Sequence, residues 1–210
     1  TGILDETIKS MTIERQQHVY ILNTSDKQMT DITNILVKHQ IVPHGFSMDW
    51  SPNEKQFAIV SNEGSGSEFK SFIELVDVDG KNRDKIPIQT PKDIPSLIKT
   101  VKWSPDGKKF VLTRRVIGID EQWKTPGSAI LIYDIEAENL IEIASYEDQC
   151  FPVAWSPTSR QIVATCSYVP PYAAELQQGP EAVRIFDVEN SSQASEYVNF
   201  SPCESPSWSP

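Results

Sequence analysis

The tripeptide Trp-Ser-Pro occurs at Trp50, Trp103, Trp155 and Trp208, so the chain repeats itself every 52 or 53 residues. A fixed period of this size excludes most single-core domain architectures. One such unit cannot bury its apolar face alone, and neighbouring units must stack to make a core. Laid side by side, the units read FSMDWSPNEKQFAIVSN (46–62), TVKWSPDGKKFVLTRR (100–115) and FPVAWSPTSRQIVATCS (151–167). They continue as SFIELVDVDG (71–80), SAILIYDIEA (128–137) and EAVRIFDVEN (181–190).

Each unit holds four short strand-like runs. In the second they fall near 100–103, 109–113, 129–135 and 140–144. Runs such as FVLT and AILIYDI are rich in β-branched and aromatic residues, and Gly, Pro, Asn and Asp separate them. They are apolar on both faces, as strands are in sheets covered on both sides. Blades of a β-propeller meet that condition, because each packs between two others. The weak apolar period of residues 31–42 is the one helical candidate.

The tripeptide has a physical reading in this setting. Proline lacks a donor and suits the end of a strand, where the ladder stops. Asp106-Gly107 suits a tight hairpin turn, whereas Glu54 and Ser159 stand where the second unit has glycine, which leaves their turn type open. Trp50, Trp103 and Trp155 are expected to be buried core plugs rather than an aromatic binding ring. The aspartates that close the third run, Asp77, Asp134 and Asp187, with Asn23 in the matching place, read as turn caps.

WSPDGKKFVL, WSPNEKQFAIV and WSPTSRQIVA, with the later HVYILNT, IELVDVDG, LIYDIEA and RIFDVEN, resemble the TolB-like (WD-like) β-propeller repeat. The resemblance covers most of the chain and implies an all-β propeller segment of four-stranded antiparallel blades. Related propellers also form the gating domain of prolyl oligopeptidase-family peptidases. Residues 1–210 read as one segment, with blades at about 1–33 (partial), 46–89, 98–145 and 151–200. Residues 203–210 then supply the first strand of a next or closing blade. Two accounts of the ends stand open. The chain is a fragment of a larger ring, with exposed blade edges that self-associate or meet further blades, or its last strand closes a four-bladed ring. The fragment reading is the one favoured.

The candidate chemistry is sparse. The formal charge of −10 disfavours nucleic acid and anionic membrane surfaces, and no apolar run reaches the length of a membrane helix. DVDGKNRD (Asp77, Asp79, Asn82, Asp84) offers oxygen donors but lacks the order of an EF-hand, and is expected to be a solvated hairpin tip. There is no G-x-S-x-G elbow, and His18, His39 and His44 form no evident triad. EGSGSE (63–68) lacks the lysine of a phosphate loop. No metal and no cofactor is expected. Cys150 and Cys203 hold equivalent positions in adjacent units, too far apart for a bridge, so Cys150, Cys166 and Cys203 are expected as buried free thiols. The compartment is left open: the resemblance allows an extracytoplasmic protein, and unpaired thiols fit the cytoplasm.

What varies between units is loop length: the connection from the fourth run to the next unit is long at 34–45, and so is that from the second to the third run. It lengthens at 114–127 and 167–180, and both loops are expected to leave one face. They carry Arg114, Arg115, Trp123, Tyr168 and Tyr172, residue types enriched at interfaces. The function expected is a non-catalytic scaffold that binds a protein or peptide through this loop-rich face. The alternative is the regulatory propeller of a prolyl oligopeptidase-type serine peptidase whose catalytic domain lies outside the chain.

Overall fold

A computed structural model describes residues 20–22, 27–34, 47–64, 70–79, 83–89, 96–116, 128–145, 150–167, 181–190, 194–198 and 208. The chain divides into two units, Thr1–Gly45 and Phe46–Pro210. In the first, β1 (Tyr20–Leu22) pairs antiparallel with β2 (Met29–Asp31), Tyr20 opposite Asp31. Asp31 then accepts the backbone N–H of Thr33 at 2.8 Å and caps a helical turn. Most of the helical candidate at 31–42 lies outside the described residues.

The second unit contains three four-stranded antiparallel sheets, each a meander in chain order. They are β3 (Met48–Trp50), β4 (Gln56–Glu63), β5 (Lys70–Asp77) and β6 (Arg83–Ile88); β7 (Ser96–Trp103), β8 (Lys109–Val116), β9 (Ser128–Asp134) and β10 (Asn139–Ala144); and β11 (Cys150–Trp155), β12 (Gln161–Ser167), β13 (Glu181–Asp187) and β14 (Ala194–Val198). The fold is all-β, built from propeller blades. The second strand of the middle sheet runs on to Val116, beyond the expected 113, because Arg114 and Arg115 stay in register with Ala129 and Ser128.

Serine explains why the tripeptide recurs. In all three sheets it sits at the start of the turn between the first two strands and is buried. Ser51 Oγ accepts the Gln56 N–H at 3.1 Å, Ser104 Oγ that of Lys109 at 2.8 Å, and Ser156 Oγ that of Gln161 at 3.0 Å. The hydroxyls also meet the residue two places on: Asn53 at 2.8 Å, Asp106 at 2.6 Å and Thr158 at 3.2 Å. Each turn therefore satisfies its own backbone, which a turn wedged beside its neighbours must do.

The turn type is shared, and departure from Asp-Gly does not change it. Four residues after each tryptophan the backbone is left-handed: φ is 59° at Glu54, 74° at Gly107 and 61° at Ser159. A Cβ at Gly107 would meet Pro52 no closer than 3.8 Å, so that position is limited by backbone conformation and not by space. A left-handed L-residue costs about 1–2 kcal/mol, which glycine avoids. Glu54→Gly is therefore expected to stabilise the chain by about 0.5–1 kcal/mol, and Gly107→Ala to destabilise it by a similar amount. Urea-denaturation midpoints moving in the same direction for the two variants would contradict this.

The middle sheet is covered on both faces, as its unbroken apolar strands require. Phe110, Leu112, Ala129, Leu131 and Tyr133 face the first sheet, where they meet Ala58, Val60, Ile73 and Ile88. Val111, Ile130 and Ile132 face the third, where they meet Val153, Ile162, Ala164 and Phe186. Alternate residues of β8 and β9 thus serve different cores.

The tryptophans are not the core plugs. Trp50 is 39% exposed, and Trp103 and Trp155 are half-buried. The buried plug is the residue paired with each of them across the hairpin: Phe57, Phe110 and Ile162, all at 0% exposure. The indoles lie over these plugs, edge-on, with ring centroids 5.8 Å apart for Trp50–Phe57 and 4.4 Å for Trp103–Phe110. An indole carries an N–H that needs a partner, and a residue at a blade edge can reach one. Trp155 Nε1 donates to the Lys102 carbonyl at 3.2 Å, and Trp208 Nε1 to the Ala154 carbonyl at 3.2 Å. Each acceptor precedes the tryptophan of the previous repeat. The indole is thus a staple between repeats. At Trp103 the staple takes another form, with Asp49 accepting its backbone N–H at 2.7 Å and pairing with Lys102 at 3.1 Å.

The cysteine expectation is overturned. Cys150 and Cys166 form a disulfide, with Cα atoms 4.0 Å apart, and both are buried in the core between the second and third sheets. The bond joins two strands of one blade rather than two blades. β11 and β12 are adjacent strands and place Cys150 directly opposite Cys166, although a bulge before Val153 breaks the register. Cys203 lies outside the described residues.

Candidate functional site

Among the described residues, the chemistry of the repeat aspartates is structural. Asp134 Oδ1 accepts the N–H groups of Glu136 and Ala137 at 3.1 and 3.0 Å, and Asp187 Oδ1 those of Glu189 and Asn190 at 2.9 Å each. The Ala137 N–H and the Lys109 ammonium hold the Asp134 carboxyl below its ordinary value, against the opposing effect of burial. Asp77 accepts the Gln56 side-chain N–H at 2.9 Å. No group of three or more His, Cys, Asp or Glu among the described residues is placed to hold a metal ion. No helix of the described residues is long and apolar enough to cross a membrane. Asn23, Asn82, His18, His39, His44 and most of EGSGSE lie outside the described residues.

The expected loop residues separate into two groups. Trp123, Tyr168 and Tyr172 lie outside the described residues. Arg114 and Arg115 belong to β8, not to a loop, and alternation sends them to opposite faces. Arg115 is exposed. Arg114 is 3% exposed and turned into the seam between the first and second sheets, on the side of Ile98 and Leu112. Nothing in the arginine side chain marked it for burial. Its even-numbered register with Leu112 is the one signal that could have found it.

That seam has a polar end. β7 is an edge strand of its sheet, so backbone groups of Ile98 turned away from β8 have no ladder partner there. The first sheet satisfies them: Ile98 N–H donates to Ser71 Oγ at 3.1 Å, Asn62 Nδ2 donates to the Ile98 carbonyl at 3.0 Å, and Ser71 Oγ donates to Asn62 Oδ1 at 2.6 Å. Beside this network, Arg114 Nη2 donates to Glu142 Oε2 at 2.8 Å. Glu142, on the outermost strand, is 39% exposed at its side chain. Two polar atoms here have no hydrogen-bond partner among the described residues, Arg114 Nε and Ser96 Oγ, and Ser96 is 2% exposed. Ser96 lies two residues before Ile98, which pairs with Arg114, so both project into the same seam.

Further along the seam is a cleft of about 460 Å³. One wall is the edge strand β6, with Ile86, Pro87 and Ile88; the other is Tyr133, Asn139 and Leu140. Pro87 removes a donor from that edge, one of the devices that prevent strand addition. Burial, then the carboxylates of Glu138 and Asp134, push the Tyr133 hydroxyl up from its ordinary value, so it remains a protonated donor at neutral pH.

No protein-family model matches the sequence, and no curated protein matches it. Solved structures do. TolB from Acinetobacter baumannii superposes with a TM-score of 0.51 at 17% identity, over 84% of this chain. The tricorn protease does so with a TM-score of 0.52 at 11% identity, over 81% of this chain. The chain spans 36% of that TolB and 16% of the tricorn protease chain. At these identities the likeness is one of fold, and the fold is the β-propeller of TolB, shared with the propeller of the tricorn protease.

Proposed function

We propose that this chain is a non-catalytic scaffold that binds a protein or peptide through the loops joining the second and third strands of its blades. One observation carries the reading. The repeat is constant down to the hydrogen bonds of its serine turn, while these connections grow from residues 64–69 to 117–127 and 168–180. Length variation gathered in the connections at one end of a repeated frame is how binding surfaces are built on rigid scaffolds. The loops leave from Val116 and Ser167, ends of equivalent strands, so both depart from the same end of their sheets. Trp123, Tyr168, Tyr172 and Arg115 are the contacts proposed, as amphipathic side chains that bind at low entropic cost. A gating role beside a peptidase domain draws on the likeness of fold alone.

Replacing 117–127 and 168–180 by the short 64–69 connection should abolish binding of peptides selected on the intact chain from a display library, with the melting temperature unchanged. Undiminished peptide affinity in the shortened chain would refute the loop-face reading.

A further inference from the structure

The geometry points to a carboxylate-binding site at the polar end of the seam between the first two four-stranded sheets, with Arg114 as its cationic anchor and Glu142 as a resident competitor. The site does not use the loops at 117–127 and 168–180, so it and the function proposed above fail separately.

Three observations meet here. Arg114 is nearly fully buried, and a guanidinium in such a place needs its charge answered and its donors used. Its ion-pair partner among the described residues, Glu142, meets it through a single oxygen at 2.8 Å and is itself 39% exposed. Arg114 Nε is buried and has no hydrogen-bond partner among the described residues, so the planar fork that matches a carboxylate with two parallel hydrogen bonds is only half engaged. Two donors of one guanidinium, Nη2 and Nε, are therefore set for a carboxylate at a place now reached by one oxygen from a side chain that can turn out to solvent.

The approach is present as well. Glu142 follows Leu140 by two residues on β10, so both face the seam. Leu140 lines the cleft with Ile86, Ile88 and Tyr133. A ligand with an apolar body in the cleft would direct its carboxylate along β10 to Arg114, displacing Glu142. The Tyr133 hydroxyl remains as a further donor on the wall. Lys85 and Glu138 line the cleft together and offset each other, which leaves the single Arg114 guanidinium to set the charge of the ligand; the ligand class is a monocarboxylate with an apolar body, either a small organic acid or the free C-terminus of a peptide.

Binding of acetate, of an apolar peptide with a free C-terminal carboxylate, and of its C-terminal amide is measured by calorimetry on the full chain and its variants. Glu142→Gln removes the competing charge and should bind the carboxylate probes roughly tenfold tighter than the parent, the scale of one charge-assisted hydrogen bond. Arg114→Lys, which keeps charge but loses the fork, should weaken binding. The peptide binding while acetate does not identifies a C-terminus as the ligand; both binding identifies a general carboxylate site.

A second readout covers a fold that Arg114 variants fail to reach. Glu142→Ala should melt lower than the parent, and a carboxylate probe, acetate against chloride at equal ionic strength or the free-carboxylate peptide against its amide, should restore its melting temperature. A Glu142→Ala chain on which acetate acts no differently from chloride and the peptide no differently from its amide would overturn the proposal. So would a Glu142→Gln chain that binds neither carboxylate probe better than the amide.

Discussion

Phe110→Ala is expected to cost about 3–5 kcal/mol, because it empties a fully buried aromatic site that the surrounding sheets cannot collapse to fill. Phe110 has no exposed surface. It sits under the Trp103 ring at 4.4 Å and beside the Tyr133 ring at 6.4 Å, and packs with Leu112 and Leu131 of its own sheet and with Ala58 and Val60 across the seam. The two sheets are held from both sides by backbone ladders, so neither can shift to close the void. Trp50→Ala should cost less than Phe110→Ala although tryptophan is larger, since 39% of Trp50 already faces water. Equilibrium denaturation of the two variants tests the order. A larger loss at Trp50 than at Phe110 would return the tryptophans to the core and contradict the packing described.

Removal of the Cys150–Cys166 bond is expected to cost about 3 kcal/mol, the loop-closure value for a bridge of this span. The two cysteines are 16 residues apart in sequence. The bond does more here than restrict the unfolded chain. It ties the first residue of β11 to β12 across a bulge, where the ladder is broken between Cys150 and Val153. Cys150→Ala/Cys166→Ala should lower the denaturation midpoint, and the parent chain should fall to the same value in reductant. Alanine also removes buried sulfur, so the parent with and without reductant is the cleaner comparison. Thiol titration of the unfolded, unreduced chain should count one of its three cysteines. Three reactive thiols, or a midpoint indifferent to reductant, would contradict the bond.

Much of the architecture is readable from residue order, for identifiable reasons. A strand buried on both faces must be apolar at consecutive positions, so AILIYD announces a middle strand with neighbours on either side. A strand-ending serine followed by proline must close a turn, and three copies of it announce three hairpins. Asp134 and Asp187, ending two of the third strands, behave as their chemistry dictates, capping backbone N–H groups at short range. These are local consequences: the partner of each group lies within a few residues or in the next strand.

The candidate site was poorly legible for the complementary reason. Arg114 looks like a loop arginine, and a side chain does not reveal whether its strand runs two residues further. Burial of Arg114 depends on Ile98 and Leu112 flanking it, on the first sheet closing over it, and on Glu142 arriving from a strand 28 residues away. Likewise, two equivalent cysteines in successive repeats drew attention to the wrong pair, because distance between strands of one hairpin is set by register and a bulge.

Residue order alone settles the repeat, the four-stranded unit and the serine turn, since each rests on hydrogen bonds and alternation confined to one hairpin. Tertiary structure decides which of two neighbouring aromatics is the plug and which is the staple between repeats. It also decides that Cys150 meets Cys166 and that Arg114 faces inward. The cysteine pair depends on register within one hairpin; the other two depend on how one sheet lies against the next, and side chains at 53 or 54 residues' separation, such as Trp155 and Lys102, become neighbours only once the sheets have stacked.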